Sequence, residues 1–117
     1  MKKRTLTIRL TPDWRSGLRA AARKAQAKSY QGEELAFETP AVFFGKLTER
    51  RWELVRMLQG KGTMSIRELA RRVERDVKRV HEDVSALIEL GLFEREDGGI
   101  ACPFARIHVD IELASAA

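Results

Sequence analysis

Two short amphipathic helices separated by a two-residue turn constrain this chain more than any other feature. In SIRELARRV, Ser65 followed three residues later by Glu68 is a capping-box start, and Ile66, Leu69, Ala70 and Val73 recur on one helical face. Only Glu74 and Arg75 then precede Asp76, which caps a longer helix over residues 77–90. Val77, Val80, Val84, Leu87 and Ile88 form its apolar stripe, and Gly91 is well placed as its left-handed stop. A pair joined so tightly, with the second member longer and basic at its start, has the pattern of a helix-turn-helix whose second helix enters a major groove.

The flanking segments specify the subtype. LFEREDGGIACP reads as two short strands around the turn Asp97, Gly98, Gly99, a hairpin in the position of a wing. Upstream, Thr48 caps a helix that presents Leu54, Val55 and Leu58 on one side until Gly60, Lys61 and Gly62 end it. Thr63 and Met64 supply a short strand for the hairpin to pack on, while Trp52 falls off the stripe and is free to meet the N-terminal helix or a second subunit. The fold expected is α+β and mostly helical: a winged helix-turn-helix over 34–117, with the helix-turn-helix at 65–90, the wing at 92–102 and an extra C-terminal strand at 105–113. A basic strand-helix extension over 1–33 precedes it.

In that extension Leu6, Ile8 and Leu10 alternate with Thr5, Thr7 and Arg9 as in a half-buried strand. Thr11, Pro12 and Asp13 then open a helix whose Trp14, Leu18, Ala21, Ala22 and Ala25 share one stripe, opposite Arg15, Arg19, Arg23 and Lys24. A ribbon-helix-helix would need a second long helix at once, and SYQGEELAFETP is not one. The extension therefore reads as a docking or dimerisation element, with Lys2, Lys3, Arg4, Arg15, Arg19 and Arg23 as an auxiliary basic arm, the first three mobile. Leu35 and Phe37 suit a short strand, and Thr39 with Pro40 opens a short helix in which the aromatics Phe37, Phe43 and Phe44 are expected in the core. After Pro103, ARIHVDIEL alternates Ile107, Val109, Ile111 and Leu113 against Arg106, His108, Asp110 and Glu112, a strand with one wet face. Its partner is left open among the strand at 35–37, the strand at 6–10 and its own copy in a dimer mate.

Charge narrows the function. The 117 residues suffice for one compact domain with a modest extension and carry a net +5, and nine Lys/Arg against one Asp fall within residues 1–30. A polyanion is the natural partner of that polarity. The single Cys102 cannot form an internal disulfide, and no apolar run has the length of a signal peptide or membrane span, so a soluble cytoplasmic protein is expected. His81 and His108 stand far apart on unlike elements, which argues against a metal site. His81 borders the apolar stripe and reads as a partly buried structural residue. No cofactor loop or nucleophile elbow is present, so no enzyme is expected.

For DNA, Arg71, Arg72, Arg75, Lys78 and Arg79 cluster at the turn and the start of the second helix, where base edges and flanking phosphates are approached. Lys78 or Arg79 suits guanine O6 and N7, Glu82 suits cytosine N4, Ser65 with the adjacent helix N-terminus suits phosphate, and Arg67 and Arg95 extend the rim. The competing account of the polar face is helix pairing, Lys78 with Glu82 and Arg79 with Asp83. RNA binding through the basic arm, or a pure protein-interaction module, are the alternatives.

The segments FETPAVFFGKLTERRWELVRML, SIRELARRV, RDVKRVHEDVSALIELGLFERE and CPFARIHVDI together resemble a prokaryotic family of winged helix-turn-helix regulators related in style to MarR proteins, whose members look like antitoxins of TumE–TumA type pairs. The resemblance covers roughly residues 34–113 and is most specific in RDVKRVHEDV and its Leu-Gly-Leu stop. It implies binding of double-stranded DNA at the gene pair's own promoter and direct binding of a cognate toxin; a homodimer is expected besides.

Overall fold

The structure is a computed structural model and describes residues 3–10, 18, 19, 22, 23, 25, 26, 30 and 32–113. The expectations for Lys2, Trp14, Arg15, Ala21 and Lys24, and for the cap at 11–13, lie outside those residues. The chain divides into one unit of Met1–Gly45 with Arg106–Ala117 and a second of Lys46–Ala105. The architecture is α+β.

The first unit is built on β1 (Arg4–Leu10), β2 (Glu33–Phe37) and β5 (Phe104–Ile111), in the order β2-β1-β5. Strands β1 and β2 run parallel with Leu6 opposite Glu33 and Leu10 opposite Phe37, so a crossover must join them. Within it Leu18, Arg19, Ala22, Arg23, Ala25 and Gln26 are helical. The alternation in β1 holds, since Leu6, Ile8 and Leu10 are buried. On the polar side Arg9 reaches both neighbouring strands, Nε to Glu34 at 3.0 Å and Nη1 to Asp110 at 3.0 Å.

Arg4 is not part of a mobile arm: it opens β1 and grips Glu33 with two bonds, of 2.9 and 2.7 Å. The Glu33 carboxyl is held below its ordinary value, chiefly by that guanidinium. The Tyr30 hydroxyl accepts from the Thr5 N–H at 3.0 Å and lies 2.9 Å from Glu33, with its pKa raised by burial of the phenol.

Leu18 is 60% exposed, and Ala22 and Ala25 are exposed as well, because helical spacing gathers residues on a face without supplying a cover. One apolar expectation in this unit needs correction. In α1 (Pro40–Lys46), started by the Val42 N–H donating to Thr39 Oγ1, Phe43 is buried edge-on against Phe37, with centroids 5.5 Å apart. Phe44, one residue on and about 100° around the helix, keeps an edge contact with the Phe43 ring, centroids 5.0 Å apart, but is 60% exposed.

The second unit follows its capping signals closely. Helix α2 (Glu49–Leu58) starts where Thr48 accepts from the Arg51 N–H, and buries Leu54, Val55 and Leu58. Helix α3 (Ile66–Val73) starts where Ser65 accepts from the Glu68 N–H at 3.1 Å. Its end is a Schellman turn: Glu74 takes a left-handed conformation, φ 55° and ψ 48°, and the Arg75 N–H reaches back to the Ala70 carbonyl. Helix α4 (Val77–Leu90) starts where Asp76 accepts from the Arg79 N–H and stops at left-handed Gly91. Val80, Val84 and Leu87 carry its buried stripe with Leu69 of α3, whereas Val77, at the first turn and without a preceding turn to share cover, is 43% exposed. His81 is exposed rather than partly buried, since it lies one residue off the stripe.

Strands β3 (Glu94–Glu96) and β4 (Gly99–Ala101) form an antiparallel hairpin with Glu96 opposite Gly99, so Asp97 and Gly98 alone make the turn. Met64 exchanges two backbone bonds of 2.9 Å with Ile100, which adds a third, single-residue rung. Gly99 is forced by that approach: a Cβ there would lie 2.2 Å from the Met64 carbonyl oxygen. Among the described residues no helix is long and apolar enough to cross a membrane.

Candidate nucleic-acid interface

The site begins at Asp83, an intermediate-burial residue three positions after Val80 and four before Leu87. That spacing turns its carboxylate toward α2 and the α3–α4 turn. Its Oδ1 accepts from Arg51 Nε at 3.1 Å, and its Oδ2 accepts from Arg75 Nη2 at 2.8 Å. Arg51 also donates through Nη1 to the Lys46 carbonyl at 2.7 Å. One carboxylate thus ties two cations and three elements together, with side-chain exposures of 11% for Arg75, 17% for Asp83 and 24% for Arg51.

Arg75 is therefore not on the rim where its sequence position suggested. The Schellman turn carries its side chain inward, and Nη1 is buried without a protein partner among the described residues. The expected i,i+4 pair of Arg79 with Asp83 does not form either: the Asp83 carboxylate turns to Arg51 and Arg75. Lys78 and Glu82, both exposed, do not pair with each other.

Outside this clamp the cations fall into two groups. Arg71 and Arg72 are exposed but share Glu68: Arg71 grips it with two bonds, Nε at 3.0 Å, and Arg72 Nε reaches Oε1 at 3.0 Å. These bonds pull the Glu68 carboxyl down to about 2, Arg71 contributing most, and raise the Arg71 pKa in turn. They also replace the second half of the capping box, since the Glu68 carboxylate turns to the two arginines instead of back to the Ser65 backbone. Arg67, Lys78, Arg79 and Arg95 are exposed and hold no ion pair among the described residues. Ser65 is exposed at the start of α3, and Glu82 is exposed on α4.

A cleft of about 800 Å³ opens at the start of α4, lined by Thr48, Arg50, Arg51, Glu74, Arg75, Asp76, Arg79 and Asp83. Two of its cations, Arg79 and Arg50, hold no ion pair among the described residues, and Arg50 was missed in the sequence. The available signal was its place in the first turn of α2, off the stripe of Leu54, Val55 and Leu58. Of the arm residues, Lys3, Arg19 and Arg23 are exposed in the first unit, and Lys2 and Arg15 are outside the described residues.

Among the described residues no group of three or more His, Cys, Asp or Glu could hold a metal ion. Cys102 is buried, and burial pushes its thiol pKa up, the reverse of what a nucleophile requires. The arrangement can present cations and helix N-terminal N–H groups to an anion. The family model HVO_A0114 matches residues 46–109. No curated protein and no solved structure matches the chain.

Proposed function

The chain belongs to the HVO_A0114 family through residues 46–109, and from the geometry of that segment we propose that it is a winged helix-turn-helix DNA-binding regulator. The observation that carries the proposal is the state of the first turn of α4. Lys78 and Arg79 are exposed there without carboxylate partners among the described residues, while the nearby Asp83 turns to Arg51 and Arg75. On this reading α4 lies in the major groove, Lys78 and Arg79 meet guanine edges or phosphate, and Glu82 accepts from cytosine. Ser65 and Arg67 at the start of α3, with Arg50 across the cleft, hold the backbone. Arg71 and Arg72 contribute by exchanging Glu68 for phosphate, a swap open to them because both remain exposed. The hairpin offers Arg95 alone among Glu94, Glu96 and Asp97, so its share of the interface is small.

The test is selection of duplexes from a random pool followed by anisotropy titration at several salt concentrations. A selected consensus and an affinity that falls steeply with salt are expected; no enrichment, or a salt-independent affinity, overturns the reading. The resemblance to antitoxins extends the proposal to a chain that represses its own promoter and also holds a toxin. Co-purification with the product of an adjacent gene tests that extension separately.

A further inference from the structure

Strand β5 is the edge of its sheet, with β1 on one side and no strand beyond it among the described residues. The bond from Arg9 to Asp110 sets the even-numbered side chains of β5 on the polar face shared with Arg9. Ile107, Val109 and Ile111 then share the face of Leu6, Ile8 and Leu10. That apolar face runs out uncovered: Leu6, Ile8 and Leu10 are buried, Ile107 and Val109 are half-buried, and Ile111 is 43% exposed. Edge strands of folded monomers are ordinarily blunted by charged side chains, lysine above all, by proline or by a bulge; β5 contains neither lysine nor proline, and of its two charged residues, Arg106 and Asp110, the second accepts from Arg9.

The sequence of this edge is complementary to itself. Two copies related by a twofold axis must pair antiparallel. With the axis at Val109, Ile107 faces Ile111, His108 faces Asp110 and Arg106 faces Glu112, so apolar meets apolar on one face, while on the other an imidazole meets a carboxylate and opposite charges meet at Arg106 and Glu112. Moving the axis to His108 sets two histidines opposite each other, and moving it to Asp110 sets two carboxylates opposite each other. A slip of one residue on one strand opposes apolar to charged side chains throughout.

We propose that a second copy of this chain pairs along β5 about Val109, joining three strands from each copy into one sheet. The inference does not rest on DNA binding, and its test reads mass alone. Sedimentation equilibrium of the full chain should give a two-chain mass. Arg106→Glu and Glu112→Arg each set like charges opposite at two symmetry-related points. Each should weaken the dimer about tenfold or more, while the double variant, with both charges exchanged, returns to within about threefold of the natural chain. Circular dichroism confirms that each single variant is folded, and Val109→Cys should form an inter-chain disulfide on mild oxidation. A single-chain mass at the highest concentration overturns the proposal. So do single variants that dimerise unchanged, or a double variant no stronger than the singles.

Discussion

Arg75 and Asp83, eight residues apart on either side of a helix start, meet at 2.8 Å with most of both side chains withdrawn from solvent. Asp83 is also the anchor of Arg51, so the helix proposed to read DNA is braced at its first turns by a carboxylate serving two cations. Arg75 sets the helix start in place, whereas Arg79 is exposed and holds no ion pair among the described residues.

Removing that carboxylate strands both guanidinium groups in a largely desolvated place. Asp83→Ala is expected to destabilise the protein by about 2–3 kcal/mol, since stripping a partner from a buried pair costs about 3–5 kcal/mol and these groups keep some solvent. Urea denaturation measures it, and a loss below about 0.5 kcal/mol, the range of ordinary surface substitutions, would refute the bracing role.

Charge reversal at Lys78 and Arg79 should act in the opposite sense. Both are exposed, so stability should stay within about 0.5 kcal/mol. DNA affinity should fall, and the slope of log affinity against log salt should shrink by about 0.9 for each phosphate no longer neutralised. The pair of experiments separates the clamp that Asp83 makes with Arg51 and Arg75 from the exposed cations of the same helix start.

Glu74 is the only described non-glycine residue with positive φ, and it lines the cleft. Glu74→Gly relieves a left-handed penalty of about 1–2 kcal/mol, offset by about 0.5–1 kcal/mol of extra unfolded-chain entropy. A net gain of about 0.5–1 kcal/mol is expected, readable as a rise of a few degrees in the melting midpoint. Removing a negative charge beside Arg79 should tighten DNA binding in the same variant.

Glu68 makes a prediction about acid. Its carboxyl is held at about 2 against an ordinary 4.5, so its contribution to stability is present above 4.5 and is lost as pH falls toward 2. Glu68→Gln should therefore lose part of the decline in midpoint that the natural chain shows between those pH values, and because it frees Arg71 and Arg72 it should bind DNA more tightly at neutral pH. Thermal melts across that range, with one anisotropy titration, examine both; identical acid profiles for the two proteins would show that the pairing contributes nothing in solution.

Gly99→Ala places a methyl group 2.2 Å from the Met64 carbonyl oxygen, backbone that cannot swing aside as a side chain would. The hairpin must separate from residue 64 or the chain must shift, at a cost of about 2 kcal/mol or more. Hydrogen exchange at the Ile100 N–H, which bonds to Met64, should quicken selectively.

Much of this protein was determined by sequence alone, and those parts are local. Thr48, Ser65 and Asp76 start helices because a side-chain oxygen can satisfy an N–H three residues on, and Gly91 stops one because it tolerates a positive φ. Buried stripes such as Val80, Val84 and Leu87 follow from helical spacing. Tertiary structure alone decided which residues from distant segments meet. The spacing of Arg79 and Asp83 suggested a pair, yet Asp83 went to Arg51, thirty-two residues away, and to Arg75. It also decided that β5 lies beside β1, and that Leu18 and Phe44 stay in solvent. Periodicity names the residues that share a face, but what covers that face depends on how separate elements pack, and the energies that choose among long-range ionic partners turn on burial that no single segment contains.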